Sequence, residues 1–178
     1  MSFEHLIVDG YNVVFRTPRL RELAAASLER ARDELVRRLE EGYRGRRARV
    51  TLVFDGARDV PAPGRSRRHG TVRIVFSEPP ATADDVIRRM VDALARHHGH
   101  RGRLPCRVVS SDQELARHAR LAGGKAVDVE AFVPELEARR AVRPARRAPD
   151  AVRGGRRELD WLERRFREAR ERPEPDDP

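Results

Sequence analysis

The sequence predicts an α/β fold, a three-layer domain with a central, mostly parallel sheet over residues 1–138, followed by an arginine-rich C-terminal extension. Two observations predict it. Short apolar runs rich in β-branched residues alternate with longer stretches whose apolar residues recur every three or four positions, the alternation that builds parallel sheets covered by helices. Beyond residue 138 the composition then changes abruptly, with eight arginines and one acid, Asp150, between residues 139 and 157.

Each element follows from its pattern. Residues 5–8 form a first strand. After Thr17-Pro18, the spacing of Leu20, Leu23, Ala24, Leu28, Ala31, Leu35, Val36 and Leu39 predicts one long amphipathic helix that stops near Gly42. Residues 50–54 make a second strand. Val72, Ile74 and Phe76 alternate with Arg73 in a third, expected at a sheet edge, and a basic loop rich in proline and glycine joins the two. Thr82 with Asp85 three residues on signals a helix start, and Val86, Ile87, Met90, Val91 and Leu94 form its apolar face until His97-His98-Gly99. Residues 106–109 are a fourth strand and Leu115, Ala116 and Ala119 a short helix. Gly123-Gly124 turns into a weak strand at Ala126-Val127, and Phe132 and Leu136 mark a last helix. Residues 139–157 bury too little to form a core and read as a basic linker. In residues 158–178, Leu159, Leu162, Phe166 and Ala169, with Trp161 beside them, predict a terminal helix before an acidic, proline-rich end.

Charge and composition narrow the function. The 178 residues suit one catalytic domain with an appendage. Lysine and arginine total 38 against 29 acids, with Lys125 the single lysine, and the net charge is +9. Such a field attracts polyanions, which favours nucleic acid over acidic small molecules or membranes. Aromatics make up only 5% of the chain, so affinity should come mainly from phosphates rather than broad stacking surfaces. The one cysteine, Cys106, lies in an apolar run and is expected in the core. Neither a basic leader nor an apolar stretch near the roughly 20 residues of a membrane span is visible, so the protein is expected to be cytoplasmic.

Four aspartates occupy related places. Asp9 and Asp55 directly follow strands, Asp112 comes just after the fourth, and Asp84 opens the helix after the third. In an open parallel sheet these positions converge at the carboxyl edge, where ligands bind. Two carboxylates about 4 Å apart repel by roughly 4 kcal/mol at an effective dielectric of about 20, so such a cluster calls for a counter-ion. All-oxygen donors suit a hard cation, Mg2+ or Mn2+, which would lower the pKa of a bound water and clamp a phosphate for in-line attack. Any one of these aspartates alone would more often be a turn former or helix cap; it is their coincidence that points to a metal. Asn12, three residues after Asp9, could direct an amide at the phosphate or the water, and Gly10 permits close backbone approach.

The run Ile7-Val8-Asp9-Gly10-Tyr11-Asn12 resembles the motif of YacP-like NYN-domain proteins. Val53-Phe54-Asp55-Gly56, Thr82-Ala83-Asp84-Asp85-Val86-Ile87 and Val108-Val109-Ser110-Ser111-Asp112 resemble its later blocks, in the right order. The resemblance implies a PIN-like fold, a divalent metal, and ribosome-associated endonucleolytic cleavage of messenger RNA. It makes Asp9 and Asp84 the foremost catalytic positions, with Asp55 and Asp112 supporting the metal and Asn12 and Ser111 tuning the site; Asp85 is a further ligand or a cap. Where the family block carries glutamates, this chain has Ala81 and Arg88, which leaves a catalytically weak RNA- or ribosome-binding module as the alternative.

Weaker signals remain. Arg65, Arg67 and Arg68 could form a mobile clamp on RNA phosphates, since guanidinium forks match phosphate geometry, or simply a solvated charge run. Tyr11 could stack on a base, though packing beneath the first loop is preferred. His97, His98 and His100 have no cysteine or acid in register for a transition metal. A phosphatase with Asp9 as nucleophile would want a second aspartate where Tyr11 stands.

Overall fold

A computed structural model of the chain describes residues 4–56, 66–98 and 104–142. The elements run β1 (Glu4–Asp9), α1 (Gly10–Arg16), α2 (Pro18–Ala26), α3 (Leu28–Tyr43), β2 (Ala48–Phe54), β3 (Ser66–His69), β4 (Val72–Phe76), α4 (Ala83–His98), β5 (Cys106–Val109), α5 (Gln113–Leu121), β6 (Lys125–Val127) and α6 (Val129–Ala141). They build one six-stranded sheet in the order β3-β4-β2-β1-β5-β6, parallel throughout except for the β3–β4 pair.

The parallel strands are buried on both faces, as their near-continuous apolar runs require. The pleat sends Leu6, Val8, Leu52 and Phe54 to one side, where they pack with Leu35, Leu39 and Tyr43 of α3 and with Phe132 and Leu136 of α6. Ile7, Val53 and Val108 face the other side, the side of α4 and α5, and are also buried. The result is the expected three layers. Cys106 is 2% exposed in this core, and burial pushes its thiol up to about 12, out of reach of ordinary thiolate chemistry.

Three expectations are corrected. The long helix after Pro18 is two helices, because Ser27 adopts an extended backbone and caps α3, its hydroxyl accepting from Arg30 N at 3.2 Å. The third expected strand, β4, is not at the edge. Ser66–His69, which carry no apolar pattern, pair antiparallel to it through a two-residue turn whose first residue, Gly70, takes a φ of 56°. Glu40 of α3 holds that hairpin, its Oε2 accepting from both the amide and the hydroxyl of Thr71 at 2.7 Å. Finally, the residues after Asp9 are not a loop but the helix α1.

The last helix runs through Arg139 and Arg140, which pair with Glu135, Glu41 and Glu137. The basic stretch beyond residue 142 and the terminal helix expected around Leu159, Leu162, Phe166 and Ala169 lie outside the described residues, as does His100. Among the described residues no helix is long and apolar enough to cross a membrane.

Candidate active site

The sheet topology places the site. The chain leaves β1 toward β2 on one side and later returns to β5 on the other, so β1 and β5 flank the switch point, where a crevice opens beyond the strands' carboxyl ends. Val8 is in register with Val109, so Asp9 and Ser110 emerge side by side from these two strands.

Asp9 is the last residue of β1 and the cap of α1. Its Oδ1 accepts from Asn12 N at 3.2 Å and its Oδ2 from the Ser110 hydroxyl at 2.9 Å. With only 8% of the residue exposed, burial pushes its carboxyl up to about 6, despite the opposing hydrogen bonds from Ser110 and Asn12; the charges of Asp84 and Asp55 push the same way. Gly10 allows α1 to start this close to the sheet, since a Cβ there would come within 2.3 Å of the Phe54 ring.

Asp84 lies in the first turn of α4. Burial and the neighbouring carboxylates Asp112, Asp55 and Asp85 raise its carboxyl above the usual range, while Arg88, one turn along the helix, draws it back down. Arg88 also reaches Glu114 at 3.5 Å. Asp55, exposed after β2, fastens α4 in place: its Oδ1 accepts from Ala83 N at 2.6 Å and from Ser77 Oγ at 3.4 Å. Asp85 is a cap, its Oδ2 accepting from the amide and hydroxyl of Thr82 at 2.9 and 3.0 Å.

On the β5 side, Asp112 caps α5 through Leu115 N at 2.7 Å and donates its own amide to Ser110 Oγ at 3.1 Å. Asn12 Oδ1 accepts from Ser111 N at 3.0 Å, and Ser111 Oγ accepts from Val129 N at 3.3 Å. Ser111 thus ties its loop to α1 and α6. The sequence pointed to Ser111; the residue that grips Asp9 is its neighbour Ser110.

Asp9, Asn12, Asp55 and Asp84 bound a cleft of about 410 Å³ together with Tyr11, Phe15 and Arg16. Asp112 is not among the residues lining the cleft, though its charge acts on Asp84. Among the described residues no three His, Cys, Asp or Glu side chains are disposed to hold an ion between them. The donor set nevertheless fits a hard divalent ion: it is all oxygen, its members repel one another, and magnesium commonly binds through one or two carboxylates and waters. Arg67 and Arg68 sit on β3, and Arg68 is exposed and is not among the residues lining the cleft; Arg65 lies outside the described residues. Ser66–His69 pair with β4, so this part of the basic run is a strand where the sequence suggested a loop.

Residues 6–168 match the YacP-like NYN domain. The chain belongs to the YacP-like NYN domain family. Its structure is similar to a mutant of Rae1 (YacP) from Bacillus subtilis, with a TM-score of 0.60 at 25% identity, over 96% of this chain and 85% of the other. A second crystal structure of Rae1 (YacP) gives a TM-score of 0.59 at 24% identity, over 94% and 83% of the two chains, which bears on the fold alone. A curated relative, "Uncharacterized protein YacP" of Bacillus subtilis (strain 168), is 37% identical over 91 residues, half of this chain; the match spans 52% of that relative's length. The YacP-like NYN architecture here is the PIN-like α/β fold that the sequence motifs imply.

Proposed function

We propose that this protein is a metal-dependent endoribonuclease that hydrolyses phosphodiester bonds of single-stranded RNA, acting on messenger RNA in association with the ribosome. The observation that carries the reading is Asp9: a buried carboxylate fixed at both oxygens, at the switch point of a parallel sheet, in the field of Asp84 and Asp55. Such an arrangement is unfavourable without a partner of opposite charge. Membership of a nuclease-type domain family and the net charge of +9 support RNA as substrate.

In this proposal Asp9 and Asp84 would hold Mg2+ or Mn2+, with Asp55 and Asp112 supporting it. When bound there, such an ion would supply positive charge for the phosphate and lower the pKa of the attacking water. Ser110 and the Asn12 amide keep the Asp9 carboxylate oriented. Asn12 spends its Oδ1 on Ser111, which leaves its Nδ2 donors for a phosphate oxygen or the water. Asp55 acts by position, pinning the first turn of α4 so that Asp84 stays beside Asp9. The expected products are a 5′-phosphate and a 3′-hydroxyl.

Arg88 beside Asp84 favours the second reading, a catalytically weak RNA- or ribosome-binding module, because its charge offsets part of the field that would draw a metal. Incubating the purified protein with single-stranded RNA, with Mg2+ or Mn2+ and then with chelator, separates the two. Cleavage that needs the metal and disappears in Asp9→Asn supports the nuclease; binding without cleavage supports the module.

A further inference from the structure

Phe15 is an anomaly in an economical sequence. The chain has six phenylalanines and two tyrosines, and three of the former and one of the latter form a single row. Phe76 stacks on Phe54 at 5.7 Å between centroids, Tyr11 tilts onto Phe54 at 5.0 Å, and Phe15 stacks on Tyr11 at 5.8 Å with 28° between the rings. The row starts in the core and ends in the cleft, where Phe15 is 50% exposed.

The arrangement is rigid at its inner end. Tyr11 cannot swing out easily, because its hydroxyl accepts from Arg32 Nη1 at 2.8 Å and its ring is wedged between Phe54 and Phe15. Tyr11 therefore packs, as preferred from the sequence, and Phe15 is the more exposed of the two aromatics that line the cleft. Helical spacing explains the placement: residues 11 and 15 are four apart on α1 and share a face. The same short helix begins at Asp9, so the catalytic carboxylate and the exposed ring are parts of one body, about 9 Å apart along the axis at roughly 1.5 Å per residue. Arg16, exposed beside Phe15, also lines the cleft and brings a positive charge.

We propose that the half-exposed ring of Phe15 is a stacking platform that seats one nucleobase of single-stranded RNA in the cleft, beside Asp9 and Asp84. The cleft combines what such a ligand presents: a flat π face for the ring, and a phosphate for Arg16 and for the site at Asp9 and Asp84. Stacking accepts any base, so the platform contributes affinity and register rather than sequence choice. The inference rests on the RNA-cleaving reading above, but its test does not require cleavage.

The test uses the full chain and a single-stranded oligoribonucleotide carrying 2-aminopurine, in metal-free buffer with chelator. Stacking on Phe15 quenches the probe on binding. Phe15→Ala should abolish the quenching and weaken binding on the order of tenfold, whereas Phe15→Trp should keep both. Leu121→Ala, which alters the 79%-exposed leucine at the end of α5, should match the parent. With metal restored, Phe15→Ala should raise KM on the order of tenfold and leave kcat nearly unchanged. A parent that cleaves RNA while Phe15→Ala binds, quenches and cleaves identically overturns the inference and leaves the nuclease reading standing. Quenching that depends on Phe15 in a protein that never cleaves keeps the inference and removes that reading. If Phe15→Ala instead turns a dimer into a monomer in sedimentation with quenching unchanged, the ring is an interface between copies and the inference fails.

Discussion

Ser110 and Asp9, 101 residues apart in sequence, meet at 2.9 Å, and the same Ser110 oxygen accepts from the amide of Asp112 at 3.1 Å. One buried hydroxyl thus serves two of the four aspartates. Ser110→Ala removes the donor to Asp9 and orphans the Asp112 amide, so it should cost about 1 to 3 kcal/mol of stability, read by urea unfolding. Losing that bond should also push the Asp9 carboxyl further up, visible by carboxyl-carbon NMR titration. An unchanged titration would mean that the bond does not tune Asp9.

Asp9→Asn or Asp84→Asn should lower RNA cleavage at least about 100-fold in saturating Mg2+. Undiminished cleavage in both purified variants would remove them from the site.

The Asp9 carboxyl also predicts a stability effect of definite sign. Its value in the fold, about 6, lies above its ordinary 3.8, so between these pH values the folded protein keeps a proton that the unfolded chain has released. Stability from this group therefore falls as pH rises through that window, by about 3 kcal/mol in all, and stays low above it. In metal-free buffer Asp9→Asn should melt higher than the parent at pH 8 and show no such gain at pH 3.5. A lower melting temperature at pH 8 would assign Asp9 a net structural role.

The opposite sign applies where β5 meets α6. Arg107 Nη1 and Nη2 donate to the two Glu135 oxygens at 2.8 and 2.6 Å, and with Arg139 they hold that carboxyl down at about 2. This stability is complete above the ordinary glutamate value of 4.5 and is lost as pH falls toward 2. Glu135→Gln should cost about 2 kcal/mol at pH 7 and little at pH 2, measured by urea unfolding at both.

The basic stretch beyond α6 is expected to act on long RNA rather than at the cleft. Removing residues 143–178 should leave metal-dependent cleavage of a short oligonucleotide nearly unchanged. Loss of three or four phosphate contacts would flatten the slope of log affinity against log salt by roughly 2 to 3. An unchanged slope would reduce the stretch to a solvated tether, and an insoluble product would make it part of the fold.

Periodicity made most of the domain legible. The runs at β1, β2, β4 and β5 and the apolar face of α4 left little choice. Ser27 was invisible because Ala24 and Leu28 keep helical spacing across the break, which one extended residue does not disturb. Strand β3 was missed because Ser-Arg-Arg-His has no apolar face and is held by backbone pairing. Helix α1 was missed because Asp9-Gly10 looks like a turn, whereas Asp9 caps and Gly10 clears Phe54. Aspartates are conspicuous after strands; a serine is not. Yet Ser110 follows Val109 as Asp55 follows Phe54, and that positional parallel was the available signal. Phe15 gave none, since its exposure depends on Tyr11 having already filled the slot over Phe54.

The central place of β1 has a consequence for when this protein becomes able to act. Its neighbours are β2, which is close in sequence, and β5, which is about a hundred residues away. During synthesis, β1, β2 and β4 can assemble early, but Asp9 lacks its Ser110 partner until residues 106–112 have left the ribosome. Contacts of such long separation form late because the intervening loop must be closed first. A half-made chain therefore carries Asp9 and Asp55 on a sheet with one flank still open, and the finished site is a property of the nearly complete domain.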